Sequence, residues 1–407
     1  MDLTPFRNRD YRLLYAAQFV SLIGTMVTYV ALPYQMYRLT GSSFSVGLLG
    51  LVELVPLLAT AFIGGAMADA VDRRRIAIVT DVALAAGSAA LAIIAMRGAS
   101  ALLLYLVAAW MSAVSGLQRP AIESLVPRLV EKDELPAAAS LAVVRGSIGM
   151  IAGPAVGGLL IASGGLTVTY LVDVASYAAS LACLAMIRAV PPAEDAEQPS
   201  VATVVEGFKY ASSRQELIGT YVVDFVAMVF GMPLALFPAI SDRLGGPSVV
   251  GFLYAAPAVG ALAASLTSRW TPRVHRHGVA VMVSATVWGL AIVGFGFSRT
   301  LWPSLVCLAI AGGADGISGI FRMTMWNETI PDALRGRLAS IEMVSYMSGP
   351  LLGNLEAGAV AAAFGVTASV VSGGALCVAG VLACVVWLPR FVGYDARLWK
   401  KEQVADT

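Results

Sequence analysis

The sequence predicts an all-α integral membrane protein with twelve transmembrane helices in two pseudo-symmetric six-helix bundles. Composition is the first reason. Hydrophobic residues make up 58% of the chain and charged residues 13%, whereas a soluble domain carries roughly 25% charged residues. Mean hydropathy is +0.78. Duplication is the second. RLTGSSFSVGLL, from Arg38 to Leu49, returns as RLGGPSVVGFL, from Arg243 to Leu253, so Gly47 and Gly251 lie half a chain apart. Pro127 and Pro331 repeat the same offset, and Gly153-Pro154 is echoed at Gly349-Pro350. Two related apolar halves are the signature of a secondary transporter built from repeats. The third reason is the lopsided distribution of basic residues between alternate loops.

Runs of about 20 mostly apolar residues, long enough to span a bilayer, fall near 12–37, 45–68, 76–96, 100–121, 138–162 and 166–187. A polar stretch beginning PPAEDAEQPS interrupts the pattern. Further runs follow near 216–241, 248–269, 278–297, 301–327, 338–362 and 366–388. The expected organisation is a first bundle at 1–188, a cytoplasmic linker at 189–214, a second bundle at 215–390 and a cytoplasmic tail at 391–407. Unbroken apolar runs do not alternate, which excludes a β-barrel. No A-x-A site closes a short apolar stretch behind the basic N-terminus, so the first segment is expected to stay.

Loops on one side carry only Arg38, Arg97, Arg243 and Arg299. The other side collects Arg7, Arg9 and Arg12, the Arg73–Arg75 triplet, Arg119, Arg128 and Lys132, and continues through Arg322, Arg335 and Arg337 to the tail. The positive-inside rule then places both termini in the cytoplasm. Only Arg145 is left deep in a span, where it needs an acidic or carbonyl partner.

The four cysteines all lie in apolar stretches and read as small core residues. Cys377 and Cys384, seven residues apart on one helix, are separated by about 10 Å, too far for a disulfide. His275 and His277 sit in a basic loop, which gives no support for a metal site; neither metal nor cofactor is expected.

Two motifs point to a family. GGAMADAVDRRR, residues 64–75, resembles the cytoplasmic loop motif G-x-x-x-D-R-x-G-R-R of the major facilitator superfamily. Gly65, Asp69, Arg73 and Arg74 match it; Ala70 and Asp72 depart from it. In that family the cluster latches the cytoplasmic side shut, and the corresponding loop of the second half, TSRWTPRVHRHG, has lost the acid. GMIAGPAVGG fits G-x-x-x-G-P-x-x-G-G through Gly149, Gly153, Pro154, Gly157 and Gly158, and is similar to the antiporter motif of the exporter branches. Small residues there permit close helix packing, and Pro154 removes a backbone donor.

GFLYAAPAVGALAASLTS (Gly251–Ser268), GGLLIASGG (Gly157–Gly165) and PDALRGRL resemble bacterial exporters of enterobactin-type siderophores, a branch that shades into drug efflux proteins. Drug–proton antiporters usually carry Arg-Gln-Gly within the fourth span. GLQRP stands here, with Arg119 near the cytoplasmic end, so that proton route does not transfer.

Ionised side chains within a bilayer cost roughly 2.5–3.5 kcal/mol or more, so buried acids are expected to face a cavity or a partner. They are Glu53, Asp173, Asp224, Asp315, Glu342 and Glu356, with Asp81 near a cytoplasmic end. The resemblance implies that spans one, four, seven and ten line the cavity, which singles out Asp224 and Asp315. Asp315, in a GGADG setting near mid-membrane, is the leading candidate for proton coupling or substrate contact; its structural alternative is pairing with Arg322. Asp224, Glu53 and Arg145 are further candidates, the last for an anionic substrate. Gln18, Tyr29, Trp110, Gln118, Trp326 and Asn327 are cavity candidates, against the plainer reading of the tryptophans as interfacial or packing residues.

The functional expectation is export of a bulky amphipathic solute, siderophore-like or drug, by alternating access and coupled to proton entry. The protein is expected in the bacterial inner membrane, as a monomer, with no nucleic-acid partner. A broad multidrug pump is the alternative, and an uptake permease is disfavoured by the antiporter-like motif. An enzyme would need convergent catalytic groups, and the sequence holds no H-E-x-x-H, G-x-S-x-G or P-loop. A membrane receptor or scaffold would be expected to have lost its intramembrane acids.

Overall fold

The computed structural model describes residues 2–98, 100–190, 209–210 and 212–397. Within its helices, the side chains at 62, 65, 66, 68–70, 332, 333, 335–337 and 339–344 lie outside the described set. The linker expected at 189–214 and the tail beyond 397 fall largely outside the described residues too. Everything regular in the described chain is helical, and ten helices are long and apolar enough to cross a membrane.

The first four long helices are α1 (Arg9–Thr40), α2 (Ser43–Ala70), α3 (Arg73–Arg97) and α4 (Ala101–Glu123). Local chemistry fixes several of their ends. Asn8 caps α1 by accepting from the backbone N–H groups of Asp10 and Tyr11, Ser42 caps α2 through Ser45, and Asp72 caps α3 through Arg74. Each cap supplies an acceptor to N–H groups that lack an intrahelical partner.

A short turn, α5 (Val126–Leu129), leads to α6 (Leu135–Ala185), which runs for 51 residues. Straight, it would extend about 77 Å, more than twice the hydrocarbon core of about 30 Å. It is in fact two helices. Gly165, at φ 74° and ψ 177°, breaks the run in a conformation that a Cβ would strain. Residues 135–164 and 166–185 thus supply the two expected spans 138–162 and 166–187.

The second half contains α7 (Gln215–Gly231), α8 (Phe237–Leu244), α9 (Pro247–Leu266), α10 (His277–Phe297), α11 (Leu301–Thr329), α12 (Asp332–Phe364), α13 (Val366–Trp387) and a short α14 (Pro389–Val392). The segment expected as one span at 216–241 is interrupted. Pro233 has no N–H to continue the ladder and forces Met232 out of helical geometry, to φ −123° and ψ 79°. The freed groups find side chains. Trp288 Nε1 donates to the Gly231 carbonyl at 2.9 Å, and Asn354 Oδ1 accepts from the Ala235 N–H at 3.0 Å. Backbone groups released within a bilayer need such partners.

The chain divides into two compact units. The first comprises residues 1–45, 51–199 and 241–255, the second residues 46–50, 200–240 and 256–407. In the first, α1 packs on α6, α6 on α3, and α3 on α4. Tyr11, Leu14, Leu125, Leu129, Leu141 and Leu184 form the largest part of one core cluster. In the second, α7 packs against α10, α12 and α13, and α11 lies on α10. Phe391 of α14 is fully buried there, beside Gly219 and Gly278.

Candidate functional site

The acids expected from the sequence sort themselves by their partners. In the first unit, Asp173 is completely buried and accepts from Thr28 Oγ1 at 2.6 Å, Ser88 Oγ at 2.7 Å and Ser176 Oγ at 3.3 Å. It ties α1, α3 and the second part of α6 together. Asp81 accepts from Gln118 Nε2 and Ser180 Oγ, both at 2.6 Å. Gln118, a cavity candidate, therefore spends a donor on that carboxylate. Both acids have the satisfied surroundings of structural residues.

Arg145 differs. Its guanidinium carbon lies 5.5 Å from the centre of the Tyr15 ring, and among the described residues no carboxylate pairs with it. The acidic or carbonyl partner expected for it is replaced by an aromatic face, a contact worth about 0.5–2 kcal/mol. Tyr15 is held in place by donating to the Leu141 carbonyl at 3.3 Å. One turn along α1, the buried Nε2 of Gln18 has no hydrogen-bond partner among the described residues. The guanidinium over its phenol ring and the Gln18 amide one turn along α1 both have donor capacity left over. Glu53 on α2 engages Ser112 through its backbone carbonyl, at 2.7 Å, while its carboxylate has no partner among the described residues. Tyr29, 40% exposed, meets Tyr254 edge-on at 5.4 Å.

In the second unit Asp224 of α7 faces Asp315 and Arg322 of α11. Two helical turns separate residues 315 and 322, which puts both on one face. Arg322 forms a close ion pair with Asp224 through Nη1, and its Nη2 lies 3.5 Å from Asp315 Oδ1. Asp224 and Arg322 are 13% and 16% exposed, Asp315 37%. Val223, Ala227, Ala285, Trp288 and Ser318 surround the acids. One guanidinium stands against two carboxylates, so with both ionised the cluster carries a surplus negative charge, more openly held at Asp315. The count of loop cations places Arg322 at the cytoplasmic side; the structure places it 21 residues into α11, half-buried and paired. Its spacing of seven from Asp315 was the available signal.

Other candidates are occupied elsewhere. Trp110, 54% exposed, donates to the Ala83 carbonyl at 3.2 Å, joining α3 and α4. Trp326 is buried, donates to Thr220 Oγ1 at 2.9 Å and packs on Tyr221. Asn327 is exposed near the end of α11. Of the loop motif, Arg74 donates to the Leu184 and Ala185 carbonyls at 2.9 and 2.6 Å, tying the start of α3 to the end of α6. Arg73 is buried; the side chains of Gly65 and Asp69 lie outside the described residues. Gly149, Gly153 and Gly157 lie against Leu22, Met26 and Val27 of α1, where a Cβ would collide or crowd, and Gly158 meets the Gly251 backbone. Pro154 lies at that same packed surface of α6, its carbonyl beside Gly251.

Ten helices long and apolar enough to cross a membrane define a multi-pass membrane protein, and polar groups short of partners inside such helices are what a transporter keeps along its path. The model of the transmembrane secretion effector family matches residues 1–405. The chain belongs to that family of major facilitator transporters, and is not an enzyme. It is 27% identical over 379 residues to the enterobactin exporter EntS of Shigella boydii serotype 18, covering 92% of this chain and 91% of that one. Identity to EntS of Escherichia coli O1:K1 is 26% over the same shares. Among solved structures, a bacterial homolog of the human lysosomal transporter Spinster superposes with TM-score 0.73 at 15% identity, covering 97% and 98% of the two chains. The nucleoside transporter NupG superposes with TM-score 0.72 at 14% identity, covering 92% and 98%. These structures share the fold.

Proposed function

We propose that the chain exports a bulky, amphipathic, siderophore-like anion across the bacterial cytoplasmic membrane, by alternating access and in exchange for protons. The observation that carries this reading is the end-to-end similarity to enterobactin exporters, over 92% of this chain and 91% of the relative. Twelve spans follow if the two parts of α6 and the 33-residue α12 are counted beside the other helices. The excess of basic residues on one side supports cytoplasmic termini. The bundles are residues 1–188 and 215–390, and the working unit is a monomer.

Arg145, Gln18 and Tyr15 are the cargo contacts in this reading. An unpaired cation beside an aromatic face and an idle amide donor suits a solute that carries both rings and acidic oxygens, as a catecholate does. Asp315 is the proton carrier: protonating it leaves Arg322 and Asp224 as a neutral pair. Glu53 is the second proton or cargo candidate. The loop motif acts as the cytoplasmic latch, and the small-residue face of α6 keeps the closed path free of leaks.

The test is transport into inside-out vesicles energised by an imposed proton gradient, offering a catecholate siderophore and a fluorescent drug separately. Gradient-dependent accumulation of the siderophore alone is expected. Accumulation of the drug moves the assignment to broad-specificity efflux. If neither accumulates while right-side-out vesicles take up the siderophore, export is refuted.

A further inference from the structure

A groove of about 620 Å³ opens in the second unit along α9, α10 and α11. It is separate from the acid–arginine cluster. Its upper end is closed where α9 and α11 touch: a Cβ on Gly260 would fall 1.8 Å from the Ala309 carbonyl oxygen, and one on Gly312 would fall 2.0 Å from that of Pro257. From that contact the groove runs to Trp270 and Arg276.

Its body offers a ligand almost nothing to hydrogen-bond. The walls are mainly Ala263, Val283, Val287, Ile310 and Ile317. Thr267 returns its hydroxyl to the Ala263 carbonyl of its own helix, at 2.8 Å. Val283 and Ile310 are nevertheless 57% and 49% exposed. The mouth is the opposite. The 3-10 turn Ser268–Arg273 and the residues after it carry Arg269, Arg273 and Arg276, all exposed, with no acid between Leu266 and Arg276. Among the described residues none of the three forms an ion pair. Trp270, 40% exposed, stands beside them, and tryptophan is the residue that settles at headgroup level.

Length decides the occupant. From Arg276 to Val287 the α10 wall rises about 16 Å, and from Phe321 back to Ile310 the α11 wall rises about the same. Half of a hydrocarbon core of about 30 Å is about 15 Å. We propose that this groove binds one anionic phospholipid, an acyl chain lying along α11 and the phosphate resting on Arg276, Arg273 and Arg269. Charge complementarity selects an anionic headgroup over a zwitterionic one, and the apolar body selects hydrocarbon over a polar cargo.

The test uses the full-length purified chain in nanodiscs containing phosphatidylcholine and a fixed fraction of brominated phosphatidylglycerol or brominated phosphatidylcholine. Quenching lost on Trp270→Phe reports the groove alone. The glycerol lipid is expected to quench Trp270 preferentially. Each arginine replaced is expected to lower the relative association constant about fivefold, so R269Q/R273Q/R276Q brings the two lipids level. Ala280→Phe, which fills the groove, removes Trp270 quenching by both. Equal quenching by the two lipids in the wild type overturns the proposal, as does a preference indifferent to the triple variant. Quenching that survives Ala280→Phe while transport is lost gives the groove to the cargo instead. A change in oligomeric mass on filling the groove gives it to a second copy of the chain.

Discussion

Replacing Arg322 by methionine should be the most damaging single change in the second unit, and the reason is a count of charges. Asp224, Asp315 and Arg322 carry one formal negative charge in surplus when both acids are ionised. Asp224→Asn or Asp315→Asn removes that surplus. Arg322→Met doubles it, and leaves Asp224, 13% exposed and paired only to Arg322 among the described residues, without its counter-charge. Removing one partner of a buried pair costs about 3–5 kcal/mol, because the other charge stays desolvated. Either asparagine should cost less than about 1.5 kcal/mol, the order of a single net hydrogen bond. At about 2–4 °C per kcal/mol for a unit of this size, Arg322→Met should melt roughly 6–20 °C below the wild type.

The four free cysteines provide the assay. Cys377 and Cys384 are buried in α13, so a thiol-reactive fluorophore reports the opening of the second unit on heating. Arg322→Met combined with Asp224→Asn should recover most of the loss, since the double variant carries the same surplus as the wild type. A single Arg322→Met as stable as the wild type would refute the reasoning. So would an Asp224→Asn that melts as early as Arg322→Met, which would show that the guanidinium neutralises nothing that matters.

Asp315→Asn should keep its fold and its cargo exchange between equal concentrations on the two sides, yet lose accumulation driven by a proton gradient; retained accumulation would remove Asp315 from the coupling. Arg145→Gln should raise the half-saturating concentration of an anionic siderophore about 10–100-fold, the value of a hydrogen bond to a charged group at roughly 1.5–3 kcal/mol, with a smaller effect on a cationic drug. Asp173→Ala should lower stability by roughly 1–3 kcal/mol through stranded hydroxyl donors. Transport per folded molecule should then be unchanged, which thermal melting and vesicle transport check together.

Hydropathy is a local property, and a bilayer demands the same thing of every span. The helical class and most helix positions were therefore legible: α3, α4, α10 and α13 fall within a few residues of their expected bounds. The break at Pro233 was less so. An apolar run looks the same whether or not its backbone ladder continues, although GMPLALFP held two prolines in plain view. Side-chain partners were legible only where they share a helix, as Asp315 and Arg322 do at a spacing of seven. Counting basic residues by side put Arg322 among the loop cations, because a positive charge near the end of a run says nothing of an acid on another helix. Gln118 and Trp326 looked like cavity residues for the converse reason: the sequence shows their donors and not the Asp81 carboxylate or Thr220 hydroxyl that consume them.

What separates candidate machinery from scaffold in each unit is unmet bonding capacity rather than polarity. A buried polar group that is fully partnered stabilises one arrangement and resists change, so Asp173, with three hydroxyl donors from α1, α3 and α6, acts as a rivet. A group left short of partners in a low-dielectric setting gains most from a transient one. Among the described residues, Arg145 with a π face and no carboxylate, Gln18 with an idle amide and Glu53 with a carboxylate that accepts no hydrogen bond are of this kind in the first unit, and Asp315, the looser half of a shared guanidinium, in the second. Such groups cost stability while they wait, and a fold keeps them where a passing ligand or proton repays the cost. Asp173 and Asp315 are both single aspartates in apolar helices; three hydroxyl donors tie the first into the scaffold, while the looser contact of the second with Arg322 is what makes it the proton carrier in the proposed cycle.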